Sequence, residues 1–290
     1  MFAPEDSEET EVRAGTPAGR PLSPVPELSV VVPARDEVDN VAPLLADVLT
    51  TLDGLVDYEV VFVDDGSVDG TAARLQELSR SLPRLRWVSH RSACGQSAAI
   101  WTGVRLARAP WIVTLDGDGQ NDPADIPSLL EVRADRGANA NLLVNGTRQG
   151  RRDTWVKRAS SRIANGIRRR VLGDGSPDTG CGLKLFPREA FLALPFFDHM
   201  HRFLPALMRR GGSEVVSVPV RHRERRHGRS HYGIRNRLWA GIVDMLGVLW
   251  LQRRSKRPVL AGPPSPGGDE RAGAGGTEGK LGGQDSKEQT

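Results

Sequence analysis

Short apolar runs alternate with longer amphipathic stretches along this chain. Five runs, rich in β-branched and aromatic residues, predict β-strands at residues 28–32, 59–63, 86–89, 111–115 and 140–145. Their apolar residues are continuous rather than alternating with polar ones, which indicates strands that are buried on both faces. A parallel sheet covered by helices buries its strands in this way.

The stretches between these runs predict helices. Four are predicted, at residues 41–52, in a segment that starts after Ser67, at residues 96–107 and at residues 124–136. Alternation of strands and helices gives right-handed crossovers and an open, mostly parallel α/β sheet. Ligands of such sheets bind beyond the carboxyl ends of the strands.

Acidic and turn-forming residues follow three of the predicted strands, at residues 33–37, 64–70 and 116–122. A single Asp-Gly turn after a strand is ordinary turn chemistry. Three acidic strand ends around one crevice repel each other unless a cation or hydrogen-bond donors lie between them. The set therefore indicates a binding site.

The Asp116-x-Asp118 pair best fits a Mg²⁺ or Mn²⁺ site. A calcium loop is excluded because Asn121 stands where that loop needs glycine, and Pro127 stands where it needs glutamate. Mg²⁺ and Mn²⁺ accept one or two carboxylates and fill their other positions with phosphate oxygens and water. Gln120 offers a further neutral oxygen. The chain has no glycine-rich phosphate loop, so a bound diphosphate would depend on metal and arginines.

Charge is spread unevenly over the 290 residues, although the net charge is only +4. Residues 148–170 contain nine Arg or Lys and one Asp, and residues 221–237 contain seven Arg and three His with one Glu. Such clusters indicate anionic partners: phosphates, nucleic acid or an acidic membrane face. A solvated basic face is the alternative interpretation.

Composition divides the chain into segments. Residues 1–27 and 258–290 have few core-forming side chains and are predicted to be disordered tails, which leaves 28–257 as the folded part. No signal peptide is recognisable, and the apolar run 238–251 is too short to span a bilayer. The two cysteines, Cys94 and Cys181, are compatible with a reducing cytoplasm.

Residues 234–257 are predicted to form an amphipathic helix after a main domain at 28–233. Its apolar residues at helical spacing are Ile234, Leu238, Ile242, Met245 and Leu249, with tryptophans at 239 and 250 and basic residues at both ends. This pattern is typical of helices that lie on a membrane surface or bind a membrane-anchored partner. Packing of the same stripe on the sheet, as core, is the alternative.

Several ordered motifs resemble the inverting glycosyltransferases of the GT-A fold. They include Val30-Val31-Val32-Pro33, Asp64-Asp65-Gly66-Ser67-x-Asp69-Gly70, Asp116-x-Asp118-x-Gln120-x-x-Pro123, Asp178-Thr179-Gly180-Cys181-Gly182-Leu183-Lys184 and Arg225-x-x-Gly228-Arg229-Ser230. Within that group the chain most resembles dolichyl-phosphate mannose synthases and bacterial polyprenyl-phosphate sugar transferases. Some positions depart from the usual pattern: Asp36 replaces Asn, the usual Gly-Phe-Arg appears as Gly182-Leu183-Lys184, and His231 replaces Lys.

The resemblance implies a role for each motif. The base and ribose would be held by Pro33, Arg35, Glu37 and Asp65. The ribose–phosphate region and the metal would be held by Asp116, Asp118 and Gln120, with Asp118 and Gln120 as the metal ligands. Arg148, Arg158, Ser161 and Lys184 would receive a lipid phosphate, while Arg225, Arg229 and Ser230 would close over the donor. The catalytic candidates are Asp116, Asp118, Arg148 and Asp178, the last as a base or an acceptor-positioning group, or otherwise as a simple turn residue.

The implied reaction is transfer of a sugar from a nucleotide-diphosphate donor to a polyprenyl phosphate, with inversion, by an enzyme at the cytoplasmic face of the membrane. A lipid phosphate is already an anionic nucleophile and needs no strong base. A saccharide acceptor is the alternative, but a neutral hydroxyl needs a carboxylate base rather than arginines. A nucleic-acid partner is not expected, because acidic strand ends repel phosphate backbones. The sequence does not choose between GDP and UDP.

Overall fold

The computed structural model describes residues 25–137, 140–149, 166, 168–224 and 234–254 of the chain. Both predicted tails lie outside these residues, apart from positions 25–27. The predicted site residues Arg158, Ser161, Arg225, Arg229 and Ser230 also lie outside them.

The first half of the fold is a parallel α/β unit. Its strands are β1 (Leu28–Ala34), β2 (Tyr58–Asp64), β3 (Leu85–Ser89) and β4 (Trp111–Thr114), and its helices are α1 (Val38–Leu52), α2 (Thr71–Ser79), α3 (Gln96–Leu106) and α4 (Ile126–Arg136). A 3₁₀ turn at Pro123–Asp125 leads into α4. These elements confirm four of the predicted strands and all four predicted helices.

The second half contains elements that the hydrophobic pattern did not predict. The predicted strand β5 spans Leu142–Arg148, and the unpredicted elements are β6 (Lys184–Pro187), α5 (Arg188–Leu192), a 3₁₀ turn at Met200–Phe203, α6 (Leu204–Arg210) and β7 (Glu214–Val220). The helix α7 (Ile234–Arg253) follows.

All seven strands form one sheet in the order β3-β2-β1-β4-β6-β5-β7. β6 runs antiparallel to β4 and β5, and the other neighbouring pairs among the described strands are parallel. Alternate residues of β1 contribute to two core clusters, with Val30 and Val32 in one and Val31 in the other. The sheet is therefore buried on both faces, as predicted. Close packing of α3 depends on Gly103, where a Cβ atom would lie 2.4 Å from Val31.

Helix α7 packs against the domain with part of the stripe that was expected to face a membrane. Met245 and Leu249 contact the second core cluster, so the prediction for these two residues is corrected. A different set, Val243, Leu246 and Trp250, is 52% to 60% exposed. No helix in the described part of the chain is long and apolar enough to cross a membrane.

Candidate active site

The three acidic strand ends meet at one edge of the sheet. β2, β1 and β4 are neighbours and parallel, so residues that follow them lie side by side. The Asp65 amide donates to the Ala34 carbonyl at 2.8 Å, and the Gly117 amide donates to the Pro33 carbonyl at 3.2 Å. The predicted clustering of these segments is thus a feature of the fold.

Hydrogen bonds join the turn after β1 to the turn after β2. The Asp36 amide donates to Ser67 Oγ, the Glu37 amide donates to Thr71 Oγ1, and Asp36 Oδ1 accepts from the Val68 amide. Asp36 has φ of 54°, in the left-handed region that Asn and Asp tolerate better than other non-glycine residues. This backbone requirement explains why Asp can replace Asn at this position.

Asp65 holds the loop that precedes α3. Its carboxylate accepts hydrogen bonds from His90 Nδ1 and from the amides of Cys94 and Gly95, each at 2.8 Å. Burial raises the pKa of Asp65, but these three hydrogen bonds more than offset that effect and leave the pKa below its usual range. Sequence reasoning placed Asp65 in the site but did not identify His90 or Cys94 as its neighbours.

The Asp116–Asn121 turn is held by hydrogen bonds within the turn and by a hydrogen bond from Arg223. Asn121, which is 2% exposed, accepts a hydrogen bond from the Asp116 amide through its side-chain oxygen at 3.1 Å, and Asp118 Oδ1 accepts from the Gln120 amide at 3.1 Å. The Arg223 amide donates to the Gln120 carbonyl at 2.9 Å. Asn121 and Arg223 are therefore structural partners of the turn that sequence reasoning missed.

Arg223 also anchors this turn through its guanidinium group. It contacts Asp122 at 2.6 Å and Asp47 of α1 at 2.5 Å. These contacts attach the residues after β7 to the acidic turn. Part of the second predicted arginine cluster thus supports the turn rather than facing solvent.

Asp116 is the most perturbed carboxyl group of the site. Gln96 Nε2 donates to its Oδ1 at 2.7 Å, and a Cβ atom on Gly182 would lie 2.3 Å from its carboxyl group. Burial and the negative charge of Asp118 raise the pKa of Asp116 to about 6, although Lys184 and Arg148 act in the opposite direction. The glycine at 182 is needed because the Asp116 side chain packs directly on it.

The Asp116–Asp118 turn suits a hard divalent cation. The two carboxylates repel each other, as the raised pKa of Asp116 indicates, and a cation between them would relieve that repulsion. Oxygen donors from carboxylates and an amide are the ligands that Mg²⁺ and Mn²⁺ prefer. The residues present therefore fit the predicted metal, and Asp118 and Gln120 are the residues that would hold it.

Arg148 and Asp178 form a bidentate ion pair beside this turn. Arg148 Nε lies 2.7 Å from Asp178 Oδ2, and Arg148 Nη2 lies 2.8 Å from Asp178 Oδ1. Burial raises the pKa of Asp178, but the bonds from Arg148 outweigh it and the net pKa lies below the usual range. A carboxylate of this kind is a weak base, and its geometry is that of a group that orients Arg148.

One arginine of the predicted phosphate-binding cluster has a structural role. Arg168 is 9% exposed and pairs with Asp174 at 2.9 Å, and it also donates to the Ser176 carbonyl and to Thr179. These bonds hold the loop that carries Asp178. Arg168 is therefore committed to the fold.

Lys184 lies at the start of β6 and lines a cavity of about 340 Å³ next to Asp116. Lys184 is 5% exposed, and its ammonium donates to the Cys181 carbonyl. Burial lowers the pKa of Lys184, and the nearby thiol and carboxylates offset only part of that effect. The cavity is also lined by Gln96, Ile100, Thr114, Thr179, Phe191, His201, Arg202 and Leu204.

Comparison with known proteins identifies the family. Residues 29–194, more than half of the chain, match Glycosyl transferase family 2. The undecaprenyl-phosphate 4-deoxy-4-formamido-L-arabinose transferase of Edwardsiella ictaluri is 35% identical over 71% of this chain, and 63% of that protein is covered. The dodecaprenyl-phosphate galacturonate synthase of Rhizobium johnstonii is 36% identical over 80% of this chain, and 69% of that protein is covered.

Solved structures with the same fold include glucosyl-3-phosphoglycerate synthase from Mycobacterium tuberculosis with Mg²⁺ and UDP. It has a TM-score of 0.56 and 22% identity, and the match covers 78% of this chain and 79% of that one. A second structure of that enzyme, with Mn²⁺, UDP and glucosyl-3-phosphoglycerate, has a TM-score of 0.58 and 20% identity over 81% of this chain and 85% of that one. The GT-A fold predicted from the sequence is confirmed. The chain belongs to glycosyl transferase family 2.

Proposed function

We propose that this chain transfers a sugar from a nucleoside diphosphate donor to the phosphate of a polyprenyl lipid, with inversion at the anomeric carbon and with Mg²⁺ or Mn²⁺ bound. One observation carries the proposal. The 178–182 loop contacts the acidic turn through Gly182 and the Arg148 guanidinium through Gly180. The acidic turn and the arginine that would bind an anion therefore lie against the same short loop.

The residues divide the work as follows. Asp118 and Gln120 would hold the cation, which would stabilise negative charge on the departing nucleoside diphosphate. Arg148, oriented by Asp178, neutralises and positions the incoming phosphate. The phosphate oxygen forms the new bond to the anomeric carbon as the bond to the diphosphate breaks.

The chemistry of Asp178 supports a phosphate acceptor rather than a hydroxyl acceptor. A hydroxyl acceptor would need a base whose pKa lies near neutral, whereas Asp178 has a lowered pKa and both carboxylate oxygens on Arg148. A lipid phosphate needs no such base. Both curated relatives are named for polyprenyl-phosphate acceptors, which supports the same choice.

The enzyme would work at the cytoplasmic face of the membrane as a peripheral protein. The exposed side chains Val243, Leu246 and Trp250 lie on one side of α7, and the exposed residues Arg253 and Arg254 follow. Apolar and basic groups in this arrangement bind anionic bilayers. Flotation with anionic vesicles tests this part, and we expect Trp250→Glu to reduce the bound fraction. Equal flotation of that variant would contradict direct binding through α7.

The central experiment incubates purified protein and Mn²⁺ with labelled UDP- and GDP-sugars and a short polyprenyl phosphate. We expect labelled lipid only when metal and the lipid phosphate are both present. The unphosphorylated polyprenol is the control for the phosphate, and a neutral saccharide replaces the lipid in a parallel reaction. Transfer to the saccharide but not to the lipid would establish the alternative acceptor instead.

A further inference from the structure

The cavity beside Asp116 has the dimensions of a small-ligand pocket. Its volume of about 340 Å³ lies at the lower end of the usual range of about 300–1,000 Å³. It lies between the end of β4, the 179–182 loop and the 3₁₀ turn at Met200–Phe203. A pocket of this size, next to a residue proposed to contact the donor, suits a single sugar ring.

Lys184 is an unusual residue to find in its wall. A buried ammonium has three donors and is strongly destabilising unless they are paired. Among the described residues, Lys184 makes one hydrogen bond, to the Cys181 carbonyl, and no carboxylate lies within ion-pairing distance. Asp116 and Asp178 influence it only from farther away. The ammonium therefore has donor capacity directed at whatever fills the cavity.

The remaining wall carries polar and basic side chains on one side and apolar side chains on the other. Arg202 and His201 line the cavity with Lys184, whereas Asp116 is the acidic residue among the lining side chains. His201 Nδ1 is held by Ser97 Oγ at 2.7 Å. Ile100, Phe191 and Leu204 form an apolar wall that suits the C–H face of a sugar ring.

We propose that the donor sugar of this enzyme carries a carboxylate, as in a uronic acid, and that Lys184 binds this carboxylate in the cavity. The inference rests on the proposed function and names its donor class. It also reassigns Lys184, which the resemblance had placed on the lipid phosphate. A phosphate that remains attached to a lipid must be reachable from the bilayer, whereas Lys184 is nearly fully buried.

The test measures donor binding without an acceptor. Calorimetry with Mn²⁺ compares matched pairs: UDP-galacturonate with UDP-galactose, UDP-glucuronate with UDP-glucose, and GDP-mannuronate with GDP-mannose. We expect the acidic member of at least one pair to bind about tenfold tighter or more, the effect of a buried charge-assisted hydrogen bond. Equal or tighter binding of the neutral member in every pair would overturn the proposal.

Variants of Lys184 assign the effect to its ammonium. Lys184→Gln should remove most of the preference for the acidic donor while binding of the free nucleoside diphosphate changes by no more than about twofold. Lys184→Arg keeps the charge and should retain part of the preference. Equal weakening of the acidic donor, the neutral donor and the free diphosphate by Lys184→Gln would contradict the assignment, and so would an effect confined to the KM for polyprenyl phosphate.

The two proposals fail in different ways. Transfer of a neutral sugar to polyprenyl phosphate, with no preference for acidic donors, would leave the proposed function intact and end the inference. Selective binding of an acidic donor without transfer to the lipid would support the inference and contradict the acceptor assignment.

Discussion

Two clusters of charged side chains, each at least partly buried, lie at opposite ends of the same sheet. At the amino ends of the strands, Glu59 of β2 is 1% exposed and accepts hydrogen bonds from Ser29 Oγ at 2.7 Å, from the Arg108 amide and Nε at 2.6 and 2.9 Å, and from Arg86 at 3.0 Å. At the carboxyl ends, Asp116 and Asp118 repel each other while Lys184 donates to a carbonyl.

The pKa values of the two clusters shift in opposite directions. Burial raises the pKa of Glu59, but the bonds from Arg108, Ser29 and Arg86 outweigh it and leave the pKa lowered. Burial and Asp118 raise the pKa of Asp116 to about 6. A buried carboxylate whose charge is balanced by arginines within the fold, such as Glu59, stabilises the protein, whereas two neighbouring carboxylates that raise each other's pKa indicate where a cationic ligand belongs.

The largest expected effect is the loss of transfer when the acidic turn is broken. Asp118→Ala should reduce kcat by at least about 1,000-fold, because a bound cation contributes several kcal/mol to stabilising the leaving group. The fold should persist, as circular dichroism would report, and Mn²⁺ should no longer raise the melting temperature. The control is Asp135→Ala, which removes an exposed carboxylate of α4. Wild-type turnover by Asp118→Ala with metal present would remove the metal role.

Mutation of the Glu59 cluster, at the amino ends of the strands, should lower stability but not activity. Glu59→Gln should reduce the free energy of unfolding by about 2 kcal/mol, because Arg86 and Arg108 lose their counter-charge, while kcat per folded molecule stays unchanged. Since the folded pKa of Glu59 is lowered, its contribution is present above the ordinary value of 4.5 and is lost as the pH falls through the lower folded value. Urea unfolding at neutral and acidic pH measures this difference. A large loss of kcat would break the comparison.

Asp178 combines features of the two clusters, because it lies at the carboxyl ends of the strands but its charge is paired with Arg148. Asp178→Asn should reduce kcat/KM for polyprenyl phosphate about 30-fold, since Arg148 loses a charge-assisted partner, with donor binding little changed. The lowered pKa keeps Asp178 ionised above its ordinary value of 3.8, so the rate profile between pH 5 and 8 should keep its shape. Loss of more than about 1,000-fold together with a changed profile would identify Asp178 as the base.

The first half of the fold, β1 to α4, could be predicted from the sequence because its strands are continuous apolar runs. The later strands lack this pattern. The strand β6 has only four residues and begins with a buried lysine. The strand β7 lies at the edge of the sheet, is only partly buried and contains Pro219. Proline is tolerated on edge strands but weakens a strand prediction. The hydrophobic pattern therefore no longer predicts the strands where the sheet becomes mixed.

The site residues also divide into those that the local sequence predicts and those whose partners are distant in the sequence. The Asp-Gly turns were recognisable because they directly follow strands. The roles of Gln96, Asn121 and Arg223 were not recognisable, because they depend on partners that the fold brings close. Asp116 is 20 residues from Gln96 in the sequence, and Asp122 is 101 residues from Arg223. The ion pair of Arg148 with Asp178 joins residues that are 30 positions apart.

The smallest expected effect tests how tightly the acidic turn is held. Gly182→Ala should reduce kcat/KM for the donor about tenfold, because the new Cβ would lie 2.3 Å from the Asp116 carboxyl group and must displace it. The backbone of Gly182 is not in the left-handed region, so the effect would come from this contact rather than from strain. The matched control is Gly247→Ala in α7, where nothing lies within 4 Å of the added Cβ, and activity should not change. Unchanged activity of Gly182→Ala would mean that the Asp116 carboxylate moves without consequence, and its raised pKa could then not distinguish this end of the sheet from the Glu59 end.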